Sequence, residues 1–87
     1  MITLAMIATL LMPPARYDHH PTEPYRIVEF TDPRMFNLAC PDHTGRLVLA
    51  CAAVERRVVK IRADLTPAAR KKVLRHEYGH LNGWVHP

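Results

Sequence analysis

Three histidines, a glutamate and a glycine close to one another carry the chemistry of this sequence. Residues 76–86 read His-Glu-Tyr-Gly-His-Leu-Asn-Gly-Trp-Val-His, the pattern H-E-x-x-H-x-x-G-x-x-H. Each helical residue advances by about 100°, so His76 and His80 lie one turn apart on one face and can share a single ion. Glu77, one step round from His76, can reach the open side of that ion without replacing a ligand. A carboxylate placed there serves as a general base. Gly83 suits the left-handed conformation that ends a helix and swings the chain back. His86 then returns as a third ligand. Three histidines leave the fourth position of a tetrahedral zinc open, as in catalytic rather than closed structural sites. Requiring the further Gly and His at fixed positions cuts accidental matches to the shorter H-E-x-x-H by roughly 500-fold.

The elements that must position these residues are legible upstream. Thr66 is a good N-cap and Pro67 suits the first helical position. From there a helix runs to Asn82, interrupted in composition only by Gly79. Leu74, Tyr78 and Leu81 cluster roughly opposite the histidines and should pack on a sheet, which makes Tyr78 a core residue rather than a catalytic phenol. Ala69 and Val73 share the histidine side and are expected to floor the cleft. Gly79 costs about 1 kcal/mol relative to Ala in a helix; close approach of a strand or substrate beside the metal would account for it. Trp84 is expected to pack the helix end.

Tyr25 to Phe30 alternates and reads as a first strand, stopped by Thr31-Asp32-Pro33. Leu47 to Val54 is apolar on both faces, as a strand covered on two sides would be. Val58 to Ala63 alternates, with Val59 and Ile61 one way and Lys60 and Arg62 the other, and reads as a half-exposed strand at a sheet edge. Glu55-Arg56-Arg57 joins these two as a hairpin. The expected fold class is α+β: a minimal domain with a small β-sheet packed on one C-terminal active-site helix.

At 87 residues the chain is one small domain, near the size where a hydrophobic core alone barely suffices. Two staples are on offer, the metal and a disulfide between its only cysteines, Cys40 and Cys51. If Pro41 to Gly45 closed a tight hairpin, Cys51 would lie roughly 13 Å along the strand from the position facing Cys40, beyond the 7 Å or so that a disulfide spans. A wider loop allows the bond, and that is the expectation. The formal charge of +4 comes from basic residues spread over a strand and a helix. They do not interleave with aromatics, so no nucleic-acid partner is expected.

Residues 1–12 are apolar but too few to span a bilayer, so no transmembrane helix is expected. Their length matches the core of a secretory signal peptide, although no Lys or Arg precedes it, and Ala15 is the nearest cleavage position. The sequence thus divides into a signal-like segment 1–15, a proline-rich linker 16–24 and a domain 25–87, with export to an oxidising compartment. His19-His20 in the linker reads as solvated rather than metal-binding. For the histidine second shell the residues offer only Asp64 and Asp42 as guesses.

With strand, helix and H-E-x-x-H-x-x-G-x-x-H in this order, the C-terminal quarter resembles the zincin metallopeptidases, and within them the extended motif of the metzincins. It is also similar to small exported proteins of bacteria and their phages that end in a His-Glu-x-x-His, Asn-Gly-Trp, His-Pro string, here His76 through Pro87. The resemblance implies one Zn²⁺ held by His76, His80 and His86, Glu77 as base, and hydrolysis of a peptide or protein substrate. All four methionines, Met1, Met6, Met12 and Met35, precede the helix, whereas metzincins place a methionine-containing turn after the third histidine. A shallow, open site is the expectation. The alternative is a non-catalytic zinc-binding module that docks on a partner protein.

Overall fold

A computed structural model describes residues 11–41 and 48–86. Five elements follow one another: β1 (Arg26–Phe30), α1 (Pro33–Ala39), β2 (Ala50–Ala53), β3 (Val58–Arg62) and α2 (Pro67–Leu81), preceded by a single 3₁₀ turn at Ala15–Tyr17. Both helices begin in the same way, with an oxygen-bearing cap followed by proline. The Asp32 carboxylate accepts from the Arg34 N–H at 2.9 Å, and Thr66 Oγ1 accepts from the Ala69 N–H at 3.2 Å. Thr31-Asp32-Pro33 therefore starts a helix as well as ending β1, and α1 was not expected from the sequence.

The fold class is α+β, a three-stranded mixed sheet in the order β1-β3-β2 with two helices. β1 runs parallel to β3 and β2 antiparallel to it. The last strand of the sequence is thus the central one, not the edge strand its alternation suggested. Lys60 and Arg62 tolerate that position because long stems carry their charges to the rim: Lys60 Nζ donates to the Ala39 carbonyl at 3.3 Å, and Arg62 pairs with Asp64 at 2.6 Å. The segment 47–54, expected as a strand covered on both sides, contributes only Ala50–Ala53 and lies at the sheet edge.

Register assigns every side chain a face. Ile27, Val59, Ile61, Ala50 and Ala52 fall in one set by their pairing. They meet Ala69, Val73, Leu74, Tyr78 and Leu81 of α2 in the core cluster, with Val59 and Ile61 fully buried. Leu74, Tyr78 and Leu81 are where the sequence placed them. Ala69 and Val73 are not: they belong to this core rather than to the cleft floor. The side of α2 that carries the histidines is continuous with its core side, and the sheet covers it at Ala69 and Val73.

The opposite face carries Val28, Phe30, Cys51 and Ala53. Phe36 of α1 is buried there, its ring edge-on to Phe30 at 6.0 Å. Cys40 caps the end of α1 and is bonded to Cys51, with Cα atoms 5.8 Å apart. The cysteine leaves from a helix end rather than a hairpin strand, which is how the short spacing reaches Cys51. The loop expected to be wide, 41–46, lies mostly outside the described residues.

The β2–β3 hairpin closes at Arg57, the one non-glycine residue with positive φ (57°) among the described residues. Its guanidinium donates to the carbonyls of Leu81 (2.8 Å), Glu23 (3.2 Å) and Pro24 (3.3 Å). The hairpin turn thereby caps the C-terminus of α2, where carbonyls lack helical partners. Among the described residues no helix is long and apolar enough to cross a membrane.

Candidate metal centre

The last turn of α2 sets the geometry of the site. Gly83 adopts φ 107°; its N–H donates to the His80 carbonyl at 3.0 Å and the Trp84 N–H to the Gly79 carbonyl at 2.9 Å. These two bonds form a Schellman motif, in which a left-handed residue reverses the chain. The reversal brings His86 back onto the helix beside His76 and His80.

The three rings then converge through the same nitrogen. Nε2 of His76 lies 3.1 Å from Nε2 of His80 and 3.1 Å from Nε2 of His86. One ligand atom from each ring falls within 4.8 Å of the others. A tetrahedral ion holding nitrogens at 2.0–2.1 Å would separate them by about 3.3 Å, so the spacing suits a single ion.

Backbone carbonyls fix the tautomers. His76 Nδ1–H donates to the Leu11 carbonyl at 2.6 Å, and His80 Nδ1–H donates to the Trp84 carbonyl at 2.8 Å. A carbonyl can only accept, so each neutral ring carries its proton on Nδ1 and its lone pair on Nε2. Two lone pairs 3.1 Å apart cannot bond to one another; a cation between them removes the conflict. Burial, opposed by the hydrogen bond each ring makes to its carbonyl and aided by the charge of neighbouring histidines, holds both rings below their ordinary pKa, which favours the neutral form that binds metal. The residues present therefore fit a metal ion.

For His76 and His80, backbone oxygens thus do the work guessed for Asp64. Asp64 is engaged by Arg62, and Asp42 lies outside the described residues. Such partners are invisible to residue-type reasoning, because every residue has a carbonyl.

Trp84 packs the helix end as expected, and it does so directly on the histidines. Its ring stacks on His80 (5.1 Å, 11° between planes) and meets His76 edge-on at 5.1 Å. Gly79 is required for a different reason from the one anticipated. A Cβ there would lie 2.7 Å from Pro13 Cβ and 2.8 Å from Trp84 Cε3. The close neighbours are the N-terminal segment and the tryptophan, not a strand or substrate.

Glu77 is buried beside the triad, with no hydrogen-bond partner among the described residues. Burial pushes its pKa up to about 7. It lines a cleft of about 730 Å³ together with His76, His80, His86, Trp84 and the β2 residues Ala50, Cys51 and Ala52. Val54 and Val85, both exposed, form an apolar rim. The cleft thus runs between the free edge of β2 and the C-terminal half of α2.

The other histidines among the described residues, His19 and His20, stand apart from this cluster. His19 Nδ1–H donates to the His20 carbonyl at 2.9 Å, and the His20 ring lies 5.1 Å from that of Tyr78. Tyr78 itself is buried and accepts from Tyr25 at 3.3 Å, and burial raises it to about 12. The chain matches no protein-family model, no curated protein and no solved structure.

Proposed function

We propose that this protein is a zinc-dependent hydrolase of peptide or related amide bonds. The observation that carries this reading is Glu77: a buried carboxylate near neutral pKa shares one cleft with three converging imidazoles. A purely structural metal site has no use for it. Imidazole ligands with a carboxylate base favour zinc among divalent ions.

His76, His80 and His86 would hold the ion, which supplies Lewis acidity toward a substrate carbonyl and toward water. Glu77 then takes the proton of the attacking water and delivers it to the leaving amine. An extended peptide fits along β2, whose outer edge borders the cleft and can accept an added strand. β3, which the alternation placed at a sheet edge, is closed off on both sides by its neighbours. The Cys40–Cys51 bond is compatible with an oxidising, exported setting.

The test is to purify the chain, quantify bound metal and assay a peptide library with wild type and Glu77→Gln. Metal bound by both proteins, with cleavage by wild type only, supports the proposal. Metal bound by both and cleavage by neither would overturn it in favour of a zinc-binding module that docks on a partner.

A further inference from the structure

His76 is the hub of the triad, since both other rings lie 3.1 Å from its Nε2. Its own orientation depends on a carbonyl from the far end of the fold, that of Leu11. Around that contact the segment 11–19 is fastened to α2 at three further points. Pro13 is buried against Gly79, at a position where any side chain on the helix would displace it. Asn82 Nδ2 donates to the carbonyls of Tyr17 (2.9 Å) and His19 (2.8 Å). The Asp18 carboxylate accepts from Arg75 through both oxygens, at 2.8 Å to Nε.

We propose that residues 11–19 are a positioning strap of the metal centre, and that the Leu11 carbonyl sets the affinity of His76 for metal. The proposal rests on reading His76, His80 and His86 as metal ligands. Histidine ligands bind with the nitrogen opposite the one that is hydrogen-bonded, so a lost acceptor frees both tautomer and ring orientation. Asn82 and Arg75 hold the strap without touching the site, which lets docking of the strap and ligation of the ion be separated. The strap also gives processing a consequence. A cut after Ala15 would remove Leu11 and Pro13 from the centre and leave a weaker site.

The test uses the full chain with zinc in competition against a chromophoric chelator. Asp18→Ala combined with Asn82→Ala should weaken zinc binding by roughly 10- to 100-fold, the range for lost outer-shell support. In the metal-free protein, nitrogen NMR should show His76 losing its fixed Nδ1–H form while His80, held by Trp84, keeps it. Unchanged zinc affinity in this variant overturns the proposal. Should the double variant fail to fold, an ester between Leu11 and Met12, introduced by ligation at Cys40, weakens that one carbonyl and leaves every side chain in place. About 5-fold weaker binding is expected, and wild-type affinity again overturns the strap. If His76→Ala, His80→Ala and His86→Ala also bind zinc like wild type, the metal reading itself falls. If these alone abolish binding, only the strap does.

Discussion

The turn at 82–86 and the segment at 11–19 support neighbouring histidines of the triad on one helix, and they do so from opposite ends of the described chain. His80 is served locally: its acceptor is Trp84, four residues on, carried there by the Schellman turn. His76 is served remotely, by Leu11. The local support is written into the motif, because Gly83 creates both the reversal and the carbonyl position. The remote one exists only when the fold is complete. A single string of residues can thus specify which side chains converge while leaving part of their orientation to tertiary structure.

Removing the ligands tests whether the two regions converge on one ion. His76→Ala and His80→Ala should each lower zinc affinity on the order of 100-fold or more, as the loss of one of a few ligands that share the binding energy requires. A chelator competition measures it. Equal losses at both positions would show that the local and remote supports end at the same ion.

Glu77 provides a reference that touches neither support. The metal-free folded protein keeps the Glu77 proton up to about pH 7, while the unfolded chain releases it in the ordinary carboxylate range. The contribution of Glu77 to stability should therefore fall as pH rises between those values, by on the order of 3 kcal/mol, against an opposite, rising contribution from His76 and His80, whose values burial lowers. In denaturant melts of the metal-free protein, Glu77→Gln should abolish the falling contribution and be the more stable protein at pH 8.

Gly79→Ala breaks both regions together, since the new methyl meets Pro13 and Trp84. Overpacking of this kind costs about 1–3 kcal/mol, partly offset by the roughly 1 kcal/mol that Ala adds to a helix. The net loss should appear in thermal melts, accompanied by weaker zinc binding. Gly83→Ala is confined to the local region. Its φ of 107° is unsuited to a side chain, and a loss of about 1 kcal/mol is expected. Nitrogen NMR should then show His80 disturbed and His76 little changed, the mirror image of strap release.

Much of the centre was legible in the sequence for one reason. The three converging histidines, the glutamate beside them and the terminating glycine are residue types with few other uses at that spacing. Helix α2 was legible from Thr66-Pro67 and from the apolar positions Leu74, Tyr78 and Leu81. What failed were judgements that depend on neighbours. Alternation at Val58–Arg62 looks the same in an edge strand and in a central strand whose Lys60 and Arg62 reach the rim. Ala69 and Val73 share the histidine side, but the sheet covers that side at its N-terminal end. α1 carried its signal in Asp32-Pro33, the same cap-and-proline pair that was read correctly at Thr66-Pro67.

The contact between His76 and Leu11 joins residues 65 apart, and so does that between Asn82 and Tyr17. No other described side-chain bond encloses more of the chain. Closing a loop of that size costs entropy that grows slowly with length, and here it brings only a few contacts, of which Pro13 against Gly79 is the buried one. The sheet, α1 and α2 can assemble inside the loop before it closes, so docking of the N-terminal segment is the natural last event of folding and the natural first event of local opening. Metal held at this centre would then act as a lock on the whole sequence of events, and the rate at which it leaves would report how often the outermost loop of the molecule comes undone.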